Sequence, residues 1–451
     1  MPARKKTVKT AAPGGFAFAN PKPSPDNFNA FNPQDVFADS GINATAVPEP
    51  IPAPWRNPPV FSLDEILGAA VVQQIQSSNS IVFHCVGDTG GVKEPAHQFA
   101  VADAMAADLA GKTYDSGLPA FWFHLGDVVY YFGQEVYYFD QYYDPYRNYA
   151  APIFAIPGNH DGVMFPNETA SYSLEPFWNN FCSESPVVLP EAQSCARTTM
   201  TEPGVYFTLD APFVKIIGLY SNTSETVGTI EGPNNDTQQL SFLTAQLQAA
   251  VTERSQGDQR ALIIAVHHPP FTGAVDHFPS PGLLADIDAA CTQAKIMPDL
   301  VLSGHAHLYE RYSRSIGGRQ IPFIVAGNGG YFNLSSFKTT TTGGPPEPPI
   351  TGTDGTGNPL TLEAFSESTF GFLRLTVDAA SILIESIGVD EQSGQTSVID
   401  SFTSALATPP ATSKHSPGSK KHGSAHPAKP PAQTRPSAHH AGAGKKKGKK
   451  R

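Results

Sequence analysis

Residues Val301 to Tyr312 read V-L-S-G-H-A-H-L-Y-E-R-Y. Val301 and Leu302 run into Ser303-Gly304, the pattern of a short buried strand breaking into a loop, and His305 and His307 leave that loop one residue apart. Two imidazoles so spaced can serve two cations. Surface loops often carry histidines, so one such segment decides little by itself. Its weight comes from four other segments built the same way.

Ile81 to Val86 lead into Gly87-Asp88, and Phe121 to Leu125 into Gly126-Asp127-Val128-Val129-Tyr130. Ile153 to Ile156 lead into Pro157-Gly158-Asn159-His160-Asp161, and Ala261 to Val266 into His267-His268-Pro269. In open α/β sheets, sites form outside the carboxyl ends of strands, so the five loops are expected to converge on one rim. Their donors are carboxylate, amide oxygen and imidazole without thiolate, a set suited to harder or borderline divalent ions and Fe(III). They outnumber the ligands that one zinc ion takes. Two cations sharing a bridging carboxylate are therefore expected. Such a pair clamps an in-line displacement at phosphorus and makes a bound water nucleophilic near neutral pH. The inferred reaction is phosphoester hydrolysis.

Taken together, G-D (87–88), G-D-x-x-Y (126–130), G-N-H-D (158–161), H-x-P (267–269) and G-H-x-H (304–307) resemble the calcineurin-like metallophosphoesterases. G-D-x-x-Y and G-H-A-H-L-Y-E-R look like the purple acid phosphatase branch. The resemblance spans about residues 80 to 390, and includes Asp236 to Leu243 as a helix and Phe370 to Leu375 as a late strand. It implies an α/β (α+β) four-layer α/β/β/α sandwich. It also implies that Asp88, Tyr130 and His307 hold Fe(III), that Asn159, His267 and His305 hold a divalent ion (Zn, Fe or Mn), and that Asp127 bridges the two. The alternative for Tyr130 is an aromatic in a Tyr-rich loop, which would leave an ordinary two-metal site with Mn(II) or similar ions. His160 and His277 resemble outer-sphere histidines that bind phosphate oxygens or protonate the leaving group. The plant members have His-His where this chain has Asp276-His277. A carboxylate there repels an anionic substrate or raises the pKa of a neighbouring histidine.

Other residues take plainer roles. His84 and His124 lie within strands and are expected to be packed or hydrogen-bonded. His268 competes with His267, but the H-x-P register favours His267. Glu310 and Arg311 are expected to brace the histidine loop, and Gly327-Asn328-Gly329-Gly330 to let the chain turn tightly beside the site.

The chain has 451 residues, 40% of them apolar, enough for a large catalytic core. The net charge of −11 is unevenly spread: from Ala405 onward there are eleven Lys/Arg and no acid, so the preceding body carries about twice the chain's net negative charge. We expect a Pro-rich extended or disordered arm over 1–60, a catalytic domain over 61–403 and a basic disordered tail over 404–451. Ser62 to Ile75 is expected to be one helix capped by Ser62, residues 97 to 110 another, and 338 to 362 a long surface loop. Residues 165 to 203 are an insertion that would wall the pocket. Four cysteines are too few for a disulfide framework, although Cys182 and Cys195 are candidates to pair. The charged amino terminus lacks an apolar segment behind it, so no signal peptide is recognisable and a cytoplasmic location is favoured. No run is long enough to span a bilayer.

The expected function is a dinuclear acid phosphatase cleaving phosphomonoesters of small phosphorylated substrates by attack of a metal-bound hydroxide. The alternatives are a phosphodiesterase or nucleotide pyrophosphatase of the same fold, or a scaffold that binds anionic surfaces or nucleic acid through its basic tail.

Overall fold

The computed structural model describes residues 51–130, 133–162, 174–221, 228–231, 236–340 and 343–407. Residues 1–50 of the expected arm, most of the basic tail and part of the expected insertion lie outside these. In chain order the strands are β1 (Val60–Ser62), β2 (Ile81–Val86), β3 (Pro119–His124), β4 (Ile153–Ala155), β5 (Phe207–Ala211), β6 (Val214–Gly218), β7 (Ala261–Ala265) and β8 (Leu300–Ser303). They continue with β9 (Tyr309–Ile316), β10 (Arg319–Ala326), β11 (Ile350–Thr353), β12 (Pro359–Ser366), β13 (Gly371–Val377), β14 (Ser381–Val389) and β15 (Thr396–Ala405).

Among the described residues these strands form two mixed sheets, with orders β1-β5-β6-β7-β8-β10-β9-β12-β11 and β15-β14-β13-β2-β3-β4. The period-2 alternation of each strand decides which face meets the other sheet. Phe83 and Cys85 of β2, Phe121 and Phe123 of β3, Ile263 of β7 and Leu300 and Leu302 of β8 share one buried core with Ile216 and Leu375. Their neighbours Trp122, Leu262, Ile264 and Val301 face the other way, into a core with Val101 and Met105 of the helix Ala96–Leu109, Leu243 and Leu247 of Gln238–Ser255, and Leu283 and Ile287 of Pro281–Ala294. Each buried Leu, Ile or Phe contributes about 1.5–3 kcal/mol, so the facing apolar surfaces dominate the stability. The layers are helix, sheet, sheet, helix. This is the expected α/β sandwich.

Several local expectations change. The predicted helix from Ser62 breaks at Gly68, whose φ of +81° no L side chain adopts readily, into Leu63–Leu67 and Ala69–Ser77. The cap itself is present, with the Ser62 backbone N–H donating to Glu65 Oε1 at 3.0 Å. Residues 51–60 are docked: Trp55 donates its Nε1–H to Glu202 O at 2.7 Å, and Val60 begins the edge strand β1, paired with β5. The expected loop over 338–362 contains β11 and the first half of β12, an antiparallel hairpin. Its tie is Arg314, fully buried, which donates to Asp354 at 2.7 Å and to Asp288 at 2.6 Å. All four cysteines are buried free thiols, so Cys182 and Cys195 are not paired. Among the described residues no helix is long and apolar enough to cross a membrane.

Candidate metal centre

The five loops do meet, but on a rim shared by two sheets rather than one. β2, β3 and β4 deliver Asp88, Asp127 and Asn159 from the smaller sheet; β7 and β8 deliver His267 and His305 from the larger. Backbone bonds lock them together: Asp88 N–H to Gly126 O at 2.9 Å within one sheet, and Gly304 N–H to His267 O at 3.0 Å within the other. Between the sheets, the His305 N–H donates to Asp88 Oδ2 at 2.8 Å, and His267 Nδ1 bonds Leu125 O at 2.8 Å.

The loops turn sharply at their functional residues. Asp88, Asp127 and His305 have φ values of +57°, +55° and +68°, in the left-handed region that few non-glycine residues enter, Asp and His more readily than most. Glycine is required beside them. A Cβ on Gly158 would overlap Asp127 Oδ1, and one on Gly304 would lie 2.6 Å from Asp88 Oδ2. The Gly327 and Gly329 positions are equally tight, against Ala306 O and Gly87 O, so this stretch packs beneath the site loops as expected.

Seven polar side chains converge in two groups. The Tyr130 hydroxyl lies 3.1 Å from Asp88 Oδ1 and 3.3 Å from His307 Nε2, with His307 Nε2 3.6 Å from Asp88 Oδ1. Asn159 Oδ1 lies 3.0 Å from His267 Nε2 and 2.9 Å from His305 Nδ1. Asp127 is close to the second group, its Oδ2 3.4 Å from His267 Nε2. That oxygen is buried without a hydrogen-bond partner. Asp127, His267 and His305 bring one donor atom each within 4.8 Å of one another.

The electrostatics are those of crowded acids and imidazoles. Burial disfavours the His267 cation, but Asp127 and Asp88 outweigh it and raise its pKa to about 9. Burial, reinforced by Asp127 and Asp88, pushes the Tyr130 phenol far up. An orphaned buried carboxylate oxygen amid crowded carboxylate and imidazole groups suits a cation, whose charge would replace the missing partner.

The remaining predicted residues fall around this centre. His160 donates its backbone N–H to Asp127 Oδ1 at 2.9 Å, and its ring lies 4.4 Å from that of Tyr130. The His277 ring lies 4.7 Å from His305 and 4.8 Å from His307. His268 bonds Ser221 Oγ through Nδ1 at 2.8 Å, and its ring lies 4.3 Å from that of His305. His84 bonds Asp108 and Tyr149, and His124 bonds Thr89 at 2.8 Å; both are held within the fold. Glu310 accepts from Gly273 N–H at 2.8 Å and Thr272 Oγ1 at 3.2 Å and so braces the His277 loop, whereas Arg311 pairs with Asp400 at 2.6 Å.

Four residues escaped sequence reasoning. Gln141 clamps Tyr130, accepting from its N–H at 2.8 Å and donating to its C=O at 2.7 Å. Tyr331 covers Tyr130 and His307, with ring separations of 4.2 and 4.4 Å. Ser335 accepts from the His307 N–H at 3.3 Å. Asp161 ties two loops by accepting from Val128, Val129 and Gly158 N–H; burial, with Asp127 adding to it, raises its pKa to about 7. Only Asp161 carried a signal, as the last residue of G-N-H-D.

The sequence model of the calcineurin-like phosphoesterases matches residues 81–309, just over half of the chain. The chain belongs to the calcineurin-like phosphoesterase family. The matched segment begins at β2 and ends at Tyr309, and so contains all five loops. This calcineurin-like phosphoesterase is thus a metal-dependent phosphoester hydrolase. No curated protein matches it significantly in sequence. Among solved structures it is similar to GAP50, the anchor in the inner membrane complex of Plasmodium, at 14% identity and a TM-score of 0.49 over 73% of this chain and 89% of that one. It is also similar to PhoD, at 13% identity and a TM-score of 0.42 over 74% and 72% of the two chains. A third is a single mutant of Vps29 from Entamoeba histolytica, at 10% identity and a TM-score of 0.28 over 72% and 99%.

Proposed function

We propose that this calcineurin-like phosphoesterase is a dinuclear phosphatase of the purple acid phosphatase branch, hydrolysing small phosphomonoesters at acidic to neutral pH. One observation carries the reading: the donors divide into two triplets, Asp88, Tyr130 and His307 on one side and Asn159, His267 and His305 on the other, with the unpartnered Asp127 Oδ2 beside the second. The first triplet, with a phenolate, would hold Fe(III). The second would hold Zn, Fe or Mn in the divalent state, and Asp127 would serve both. When bound, the pair supplies charge neutralisation for the phosphoryl oxygens and a water acidified toward neutral pKa.

The chain's own residues do the rest. The closed ring of Asp88, Tyr130 and His307 fixes donor positions in advance, at no cost during turnover. His160, partly exposed beside Asp127, is suited to grip a phosphate oxygen, and His277 to hand a proton to the leaving oxygen. Buried Tyr331 keeps water off the phenol side.

The test is the visible spectrum and metal content of the protein beside Tyr130→Phe, with p-nitrophenyl phosphate and its bis ester as substrates. A purple or pink protein with about two metals per chain, colour lost in the variant and preference for the monoester is expected. A colourless protein that holds two metals and is indifferent to Tyr130 moves it to another branch. Preference for the bis ester makes it a diesterase.

A further inference from the structure

Asp276 immediately precedes His277 beside the metal centre. Its carboxylate does not face the phosphate side freely. Asp276 Oδ1 lies 3.0 Å from Nδ1 of His277, and Ser335 Oγ lies 3.2 Å from the same nitrogen. Ser335 is itself fixed, because its Oγ accepts from the His307 N–H and its own N–H donates to His307 O at 2.9 Å. Nδ1 of His277 is thus enclosed, and the ring stands edge-on to His305 and tilted to His307.

The loop that carries this pair is tied to the segment from Ser335 to Lys338. Ala274 bridges Phe337, Val275 donates its N–H to Ser336 O at 2.9 Å, and Gly273 O accepts from the Lys338 N–H at 2.8 Å. Gly273 also donates to buried Glu310. These ties, with the contacts at Nδ1, favour one orientation of the His277 ring, which is what a proton donor needs.

We infer that Asp276 is a positioning residue, which takes the Nδ1–H of His277 on its carboxylate and leaves Nε2 as the atom that serves the leaving-group oxygen. This rests on the phosphomonoesterase reading above. As the P–O bond to the alcohol breaks, its electron pair stays on the leaving oxygen, which takes the proton from Nε2. His277 is left neutral with Nδ1–H still on Asp276, and regains a proton from solvent. The carboxylate balances the imidazolium before transfer and fixes the tautomer after it, as in any carboxylate–imidazole dyad. A charge that would repel phosphate is instead engaged by His277.

Such a role has a signature that general loosening of the loop lacks: the defect grows as the leaving group worsens. The full-length protein and its Asp276→Asn, Asp276→Glu, His277→Ala and Asp276→Asn/His277→Ala variants are compared on p-nitrophenyl phosphate and phenyl phosphate, with metal content measured for each. Asp276→Asn is expected to keep its metals and its KM within about twofold, and to lose about tenfold or more in kcat on phenyl phosphate but much less on p-nitrophenyl phosphate. Asp276→Glu should recover part of the loss, and the double variant should be no worse than His277→Ala. Equal losses on both substrates, or additive losses in the double variant, overturn the dyad. The arrangement is also read without turnover, by ¹⁵N NMR of histidine-labelled, zinc-loaded protein with His277→Ala giving the assignment. An Nδ1 of His277 that carries a proton in the parent and loses it in Asp276→Asn supports the dyad, and a bare Nδ1 in the parent overturns it. If the parent hydrolyses neither ester, the phosphatase reading fails, while the NMR result still decides the dyad.

Discussion

Oδ2 of Asp127 lies 3.4 Å from Nε2 of His267, both residues are buried, and no hydrogen bond closes on that oxygen. A buried carboxylate oxygen left alone costs about 1–3 kcal/mol or more, so the arrangement persists where something else compensates it. Removing the metals is therefore expected to lower stability. Chelation should depress Tm by several degrees and restoring the metal should reverse it, since a ligand at about a thousand times its Kd stabilises by about 4 kcal/mol. Asp127→Ala should abolish both the metal-dependent Tm rise and hydrolysis. Calorimetry with and without chelator checks this, and an unchanged Tm would remove the metal from the fold's energetics.

Gly158→Ala should be among the most damaging single-methyl additions in the protein. The new Cβ would overlap Asp127 Oδ1 and lie 2.5 Å from the Asp127 backbone nitrogen, neither of which can retreat without opening the site. A loss of about 3 kcal/mol or more, with loss of metal, is expected. Gly344→Ala is the control, since nothing lies within 4 Å of its Cβ position, and should change stability by less than about 0.5 kcal/mol. Urea denaturation of the two variants reads the difference.

Glu310 gives a pH dependence on the alkaline side. Burial raises its pKa from 4.5 to about 8, only partly opposed by the Gly273 N–H and the Thr272 hydroxyl. The folded state keeps a proton that the unfolded chain releases, so this residue's contribution weakens as pH rises from 4.5 toward 8. Glu310→Gln preserves an acceptor for Gly273 and removes the titration. The variant should gain on the order of a few kcal/mol relative to the parent between pH 5 and pH 8.5. Parallel urea curves at both pH values would sink the idea.

His84 acts on the acid side. Burial lowers its pKa below the ordinary 6.5, and Asp108 opposes this only in part. Below that value the unfolded chain takes up a proton that the folded ring resists, so stability falls as pH drops through the window beneath 6.5. In the metal-loaded protein, His84→Gln should show a shallower Tm decline from pH 7 to pH 5 than the parent. Identical slopes would mean that the folded ring is protonated against Asp108.

Much of the centre was legible because its parts are local. An apolar run breaking into Gly-Asp or Gly-His is a strand end with a donor on it, and five such runs survive as β2, β3, β4, β7 and β8. The choice of His267 over His268 came from the H-x-P register of the family motif; His267 Nε2 lies 3.0 Å from Asn159 Oδ1, whereas His268 Nδ1 bonds Ser221 Oγ. The hairpin of β11 and β12 was not legible. All four residues of β11 are exposed, so no alternating apolar pattern marks it, and the hairpin is held from distant chain, by the pairing of β12 with β9 and by buried Arg314. The helix break at Gly68 depends on a backbone torsion that the apolar periodicity around it conceals.

By itself, the sequence determined which donors this protein possesses, that each follows an apolar strand, and that together they mark a calcineurin-like phosphoesterase. Strand propensity and loop chemistry are properties of a few adjacent residues, and they survive reading in one dimension. Only the tertiary structure decided that the donors come from two facing sheets, and that Gln141, Tyr331 and Ser335 pack around them. The His305 N–H meets Asp88 Oδ2 across 217 residues of chain. Contacts of that kind arise from packing two sheets face to face, and no local periodicity encodes them.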